Sequence, residues 1–411
     1  MARDALRGVG AYPEHPRYAE LIARTAPLYD RDDDVRSPFM RDYTRILHST
    51  AFRRLKHKTQ VFFNPRNDHV CTRMEHVMHV ESVSHTIAGY LGLNTELTQA
   101  IATGHDIGHA PFGHQGEQVL EKLSQEVRGR SFWHERNGVR FADHLELLED
   151  DRLRMRNLHL TYAVRDGIVS HCGEVDEQAL IPRENWIQPE EIEKPGEMQP
   201  ATWEGCVVKL ADKISYLGRD ISDAIRLGII KDKELRDLRR LGEKYEEENV
   251  NTTVLIHKLI LDVCENTTLE TGIRLSDRYR SLMDEIKRFN YEHIYLSERL
   301  APFRRYAELI LRELFGALCK CYKGESTLPE LWRRRAEHPL LYGDFCRWLA
   351  AYVTLDLSAF EWGHTITQNY DNEKVYGDLS REETYIDAVL DFLAGMTDNY
   401  AIDLFEDLIS I

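Results

Sequence analysis

The segment TQAIATGHDIGHAPFGHQGEQVL, residues 98–120, concentrates side chains able to do chemistry. Leu97, Ile101 and Ile107 recur at helical spacing, and the pattern predicts a helix ending near Ala110. Pro111 supplies the stop, because it lacks an N–H and disfavours helical backbone in the residue before it. His105 and Asp106 are adjacent near that end. Neighbouring helical residues point about 100° apart, so both reach one ion only where it lies between the two directions. Imidazole plus carboxylate suits Mn²⁺, Mg²⁺, Fe²⁺ or Zn²⁺ better than a soft metal. An isolated His-Asp pair serves equally as a cap or a salt bridge. Here His109 follows one turn on and His114 after a PFG turn, while His76 lies on the preceding predicted helix. A further acid comes from VVKLADKISYLGRDISDAI, where Asp212, Tyr216 and Asp220 recur at i, i+4 and i+8 as a polar stripe beside an apolar one. Alone, that stripe reads either as a site face or as a solvated face paired with Lys209, Lys213 and Arg219.

The elements that must position these groups are helical. Val77, Val80, Val83, Ile87 and Leu91 step by three and four, as do Val207, Leu210, Ile214, Leu217, Ile221 and Ile225. Segments 251–265, 301–321 and 385–408 continue the pattern. With only 24 Gly and 13 Pro in 411 residues, a turn-rich β fold is disfavoured. The expected class is all-α, with short strands at most, near Val61–Phe63 and around Val70. Pro182, Pro189, Pro195 and Pro200 mark an exposed Glu-rich loop over 173–205. Residues 227–250 read as a charged helix hairpin.

Composition bounds the function. The charge of −16 disfavours non-specific DNA binding, and 42% apolar residues rule out wholesale disorder. The apolar run TVLIHKLILDVC is interrupted by His257 and Lys258, so no membrane span is expected. Seven scattered cysteines and an N-terminus without an apolar stretch fit a cytoplasmic protein. Residues 36–73 nevertheless hold nine Lys/Arg against two acids, a local charge of +7.

His76, His105-Asp106 and Asp212 together resemble the signature of HD-domain phosphohydrolases. The strings RILHSTAFRRLKHKTQVF, TRMEH, HDIGHAPFGHQGE, ADKISYLGRDISDAI and FLAGMTDNYA resemble, in order, those of the deoxyguanosine triphosphate triphosphohydrolase family, from about residue 41 to about 402. The resemblance implies an HD-domain helical bundle enlarged by extra helices as one domain. Its catalytic core would span about 41–230, with a C-terminal helical extension over 231–411. It implies one divalent ion per subunit, with Mn, Mg, Fe, Zn and Ni equally compatible, held by His76, His105, Asp106 and Asp212. The implied reaction is attack of water on the α-phosphorus of a deoxynucleoside triphosphate (dNTP), releasing deoxynucleoside and inorganic triphosphate. His114 and Glu117 match the family's catalytic His and Glu. Gln60, Tyr216 and Asp220 match positions that contact the deoxyribose, where a tyrosine ring against C2′ excludes a 2′-hydroxyl. Arg73, His109 and Lys213 match triphosphate-binding positions. On this reading the basic segment serves a tetra-anionic nucleotide, with Arg53 and Arg54 facing the same anion or a neighbouring subunit.

Other residues receive lesser readings. His79 and His85 are expected at the surface or core edge, and Cys319-Lys-Cys321 lacks the second pair a zinc site needs. His134 and His171 are expected near the pocket, supporting substrate or satisfying a buried network. Gly104 and Gly108 are expected to pack closely beside His105-Asp106. The chain departs from the family pattern at Cys71, where an arginine is usual, and at Val77, Glu135 and Gly138. The resemblance further implies a homo-oligomer, and it leaves open an allosteric nucleotide and weak single-stranded DNA binding through the basic segment. The rival expectations are an HD nucleotidase or phosphodiesterase acting on mono- or cyclic nucleotides, and a nucleotide-sensing or single-strand-binding protein.

Overall fold

The computed structural model describes residues 3–28, 34–63, 69–172, 179–245 and 252–410. The fold is all-α: the described residues form eighteen α-helices and one two-stranded sheet. In chain order the first nine are α1 (Tyr18–Leu21), α2 (Pro38–His48), α3 (Thr50–Arg54), α4 (Arg73–Leu91), α5 (Thr95–Gly104), α6 (Gly113–Arg128), α7 (His134–Arg140), α8 (Tyr162–Ser170) and α9 (Trp203–Arg226). Then follow α10 (Asp232–Lys244), α11 (Thr252–Asn266), α12 (Asp277–Asn290), α13 (Ala301–Cys319), α14 (Thr327–Arg334), α15 (Pro339–Ala350), α16 (Gly363–Asn369), α17 (Glu382–Ala394) and α18 (Asp398–Ile409).

Helix starts follow from local chemistry. Ser37 accepts from Met40 N at 3.1 Å with Pro38 in the first helical position, which starts α2. Thr72 and Glu75 close a reciprocal capping box that fixes the first turn of α4, and with it Arg73 and His76. Asn94 caps α5 by accepting from Glu96 N and Leu97 N, and Thr202 caps α9 by accepting from Gly205 N at 3.0 Å.

Two apolar clusters organise these helices. The first joins α2, α4, α5, α8, α9, α11 and α12 around residues such as Ile46, Val80, Ile101 and Leu217. The second joins α6, α13, α14, α15, α17 and α18 around Leu120, Leu314, Phe345 and Leu393. Each gathers the i, i+3, i+4 stripe of its helices away from water, which is the main stabilising term.

Three expectations need correction. Helix α5 ends at Gly104, not near Ala110. The chain turns there instead, with Ile107 N bonded to Gly104 O at 3.3 Å and His109 N to Asp106 O at 3.2 Å. A tertiary contact forces this: a Cβ on Gly108 would lie 2.1 Å from both Gly138 N and His134 O. The short hairpin is not near Val61 or Val70. It pairs β1 (Leu147–Glu149) with β2 (Met155–Asn157), antiparallel, while Thr59 and Thr72 make only an isolated bridge. Residues 227–245 contain the single helix α10, and 246–250 lie outside the described residues. Within the expected Pro-rich loop, 179–202 hold one 3-10 turn, Pro189–Glu191, as the sole helical element, and α9 begins at Trp203; residues 173–178 lie outside the described residues.

Candidate active site

A cavity of about 680 Å³ draws its lining from elements of both apolar clusters. His76 comes from α4, Asp106 from the turn after α5, and Asp212, Tyr216 and Asp220 from one face of α9. His114 and Glu117 come from the first turn of α6.

On the floor, His76, His105 and Asp212 offer ligand atoms within 4.8 Å of one another. His76 Nε2 lies 2.9 Å from Asp212 Oδ1. His105 Nδ1 is bonded to Ala102 O at 2.7 Å, which fixes Nε2 as the lone-pair nitrogen. That Nε2 is buried without a hydrogen-bond partner, 3.4 Å from Asp106 Oδ1 and 4.0 Å from Asp212 Oδ1. An unpartnered lone pair facing two carboxylates is costly unless a cation occupies the gap. The residues therefore fit a divalent ion. Asp106 also accepts from Arg73 Nη1 at 2.9 Å and pairs with His109 Nε2 at 2.9 Å. Burial raises the Asp106 carboxyl, but His105, His109 and Arg73 outweigh it and hold it well below the usual carboxylate range. Asp212 is lowered likewise, since the His76 hydrogen bond overcomes burial.

The opposite wall carries imidazoles and one carboxylate. Glu117 Oε2 lies 3.4 Å from His114 Nδ1, and its Oε1 lies 2.9 Å from His134 Nδ1 and accepts from His134 N at 2.8 Å. His134 stacks on His109 with ring centroids 3.6 Å apart. Burial opposes the charge on His134, yet Glu117 and Glu135 raise it well above the usual imidazole value. Burial, then Arg73 and His134, push His109 well below it. The stacked pair thus divides into a cationic and a neutral ring. His114, by contrast, has a side chain 58% exposed.

Sequence reading marked His134 only as lying near the pocket, and its coupling to Glu117 adds a proton-holding group. Signals were thin, since the residues it touches are 17 and 25 positions away. Tyr295 was missed altogether. It sits in a π-helical turn, Tyr291–Tyr295, a local form frequent at functional sites. Its hydroxyl donates to Asp220 Oδ2, and burial pushes the Asp220 carboxyl up to about 6.

All of Gln60, Arg73, His109, Lys213, Tyr216 and Asp220 line the cavity. Gln60 Oε1 is buried without a partner. Its loop is held from the far end of the chain. Asp398 accepts from Thr59 N at 2.9 Å, from Thr59 Oγ1, and from Phe112 N at 2.7 Å. Phe112 has φ 63°, a left-handed conformation unusual for a non-glycine residue, in the tight turn that launches α6. Lys58 Nζ adds a bond to His109 O and another, 3.1 Å long, to Ala394 O.

The basic segment is redistributed. Among its described cations only Arg73 lines the main cavity. Arg36, Arg41, Arg45 and Arg53 line a separate cavity of about 470 Å³ with Glu149 of the hairpin. Arg54 pairs with buried Glu146 at 2.6 Å. Helix α2 packs against the back of α5, which turns those cations away from the site. Arg66 and Asp68 lie outside the described residues. His79 is half-buried and bonded by Arg219, and His85 is exposed, as expected. Gly104 packs as expected too, since a Cβ there would lie 2.9 Å from Ile168.

The HD-domain model matches residues 73–217, a span that includes His76, His105, Asp106 and Asp212, and the phosphohydrolase-associated domain matches residues 273–341. A deoxyguanosinetriphosphate triphosphohydrolase-like protein of Caldanaerobacter subterraneus subsp. tengcongensis is 33% identical over 91% of this chain and 86% of its own length. The chain belongs to this family of HD-domain phosphohydrolases. Like-named relatives from Rickettsia felis and Desulfatibacillum aliphaticivorans agree. They are 30% and 38% identical, over 92% and 68% of this chain and 92% and 73% of their own lengths. Family membership makes the chain a metal-dependent phosphohydrolase. Among the described residues no helix is long and apolar enough to cross a membrane.

Proposed function

We propose that the protein hydrolyses deoxynucleoside triphosphates to deoxynucleoside and inorganic triphosphate. The observation that carries this reading is that the His76/His105/Asp106/Asp212 cluster and the Glu117-centred imidazoles open on one cavity. A divalent ion held by those four residues would supply Lewis acidity and a more acidic water. The chain's own groups divide the remaining work. Arg73, His109 and Lys213 line the cavity where polyphosphate charge must be balanced. Gln60, with its unpartnered amide oxygen, is suited to accept from the 3′-hydroxyl. Asp220, already bonded by Tyr295, fixes the deoxyribose side of the pocket together with the Tyr216 ring. Glu117 holds His134 protonated and orients His114, which is exposed to the cavity and placed to pass a proton to the leaving 5′-oxygen.

The test is incubation with each dNTP and NTP, singly and mixed, with Mg²⁺ or Mn²⁺, followed by separation of triphosphate, pyrophosphate and orthophosphate. Triphosphate released from dNTPs in preference to NTPs is expected. Release of orthophosphate from monophosphates alone would replace this reading with a nucleotidase.

A further inference from the structure

Beside the His76/Asp212 floor lies a second convergence of ligand types that the proposed reaction does not use as a set. Helix α7 begins with His134-Glu135, and the residues just after α8 are His171-Cys172. The two helices pack together, so the start of one and the end of the other bring two imidazoles, a carboxylate and a thiol into one place. One ligand atom from each of the four lies within 4.8 Å of those from the other three. His134, Glu135 and His171 are 6%, 2% and 1% exposed, and Cys172 is half-buried.

Three features distinguish this group from an accidental cluster. Both imidazoles have Nδ1 engaged, His134 with Glu117 Oε1 at 2.9 Å and His171 with Ile168 O at 2.7 Å. Each is therefore locked to present Nε2, as the outer partners of metal-bound histidines lock theirs. His134 Nε2 already faces Cys172 Sγ at 3.9 Å. Glu135 Oε2 is buried without a hydrogen-bond partner; His134 Nδ1 lies 3.4 Å from it but is engaged more closely by Glu117 at 2.9 Å.

We propose that His134, Glu135, His171 and Cys172 form a second cation site, selective for a thiophilic divalent ion of the zinc class. The His₂-carboxylate set of other metal sites is joined here by a sulfur, which favours Zn²⁺ over Mg²⁺ or Mn²⁺. One carboxylate and one thiolate carry two negative charges, so a divalent ion makes the buried unit neutral. A tetrahedral ion with bonds of about 2.0–2.3 Å needs ligand atoms roughly 3.3–3.8 Å apart. The four groups need only draw in by about 1 Å. Burial pushes the Cys172 thiol up to about 12; a coordinating cation displaces that proton, and the one that His134 Nε2 carries in the imidazolium form, to solvent as the sulfur–metal and nitrogen–metal bonds form, so the ion takes the place of the imidazolium charge. His171 also neighbours His105, with ring centroids 4.9 Å apart, and Asp106 lies within 4.8 Å of ligand atoms of both His171 and His134, so the two sites abut.

Cobalt distinguishes them, because only a thiolate ligand gives a sulfur-to-cobalt charge-transfer absorption in the near ultraviolet. The full-length protein, stripped with a chelator, is titrated with Co²⁺ while absorbance and bound metal are followed. Wild type is expected to take up two equivalents and to develop the band; Cys172→Ser should take up one and lack it. Asp212→Ala should keep the band while losing the other equivalent. Glu135→Gln, which preserves shape, should weaken the band-forming site by more than about tenfold, since even changes around metal ligands cost that much. A wild-type titration that stops at one equivalent with no band overturns the proposal without recourse to any variant. So does a band that persists in a folded Cys172→Ser protein.

Discussion

The two sides of the cavity are built by opposite means. The floor is closed: His105 and Asp106 are 0% and 2% exposed, and the Ala102 carbonyl fixes the ring of His105. Its helices belong to the first apolar cluster. The wall opens at His114, whose side chain is 58% exposed, lies 3.4 Å from Glu117 and meets the ring of His109 edge-on. Its helix α6 packs with the second cluster. A ligand set gains from rigidity, because an ion tolerates little error in donor position. A group that must take up and give back a proton gains from access to the cavity and to water. On the proposed reaction, the difference suits the floor to holding an ion and His114 to proton movement.

The largest effect should follow from breaking the floor. Asp212→Ala is expected to lower triphosphate release by about 10³-fold or more and to reduce bound metal, read by elemental analysis. Full metal content in that variant would mean the floor is not the ligand set. Breaking the wall should be milder and should leave metal in place. Glu117→Gln is expected to lower kcat by about 10²-fold while the ion of the floor is retained. If the metal is lost as well, the two sides are not separable.

Asp398→Ala tests what holds the wall to the floor. Three donors, two of them backbone N–H groups, lose their acceptor, so a loss of about 3 kcal/mol in urea unfolding is expected. KM should rise with it, because the Gln60 loop is released. Gln60→Ala sharpens the rim. Preference for dNTP over NTP should fall by about tenfold, and unchanged discrimination would remove Gln60 from the sugar contact.

A pH-dependent effect concerns Asp220, on the same helix as Asp212. Burial raises its carboxyl from 3.8 to about 6. The folded state then holds a proton that the unfolded state releases, so stability is fully present below pH 3.8 and declines as pH rises through about 6. Asp220→Asn should remove that decline, and parallel urea midpoints for both proteins across this range would contradict it.

Much of the floor was legible because its residues obey a period. Asp212, Tyr216 and Asp220 share a face by simple i+4 arithmetic. The exit of α5 was not legible. Pro111 gave a local stop, but the chain leaves the helix six residues earlier to bring Gly108 against His134 and Gly138. The pairing of His109 with His134 and the diversion of Arg54 to Glu146 have the same origin. Each depends on a partner from another helix, and a single sequence records no partner.

The clamp at Asp398 has a bearing on how the protein comes into being. A chain made from its N-terminus has all four expected metal ligands in hand by residue 212, with Asp398 still to be made. The Gln60 loop and the turn before His114 find their anchor only when a carboxylate near the opposite terminus arrives. A nascent or C-terminally clipped chain therefore owns the reagents without the arrangement. The arrangement of the cavity is then coupled to synthesis of the chain as far as Asp398.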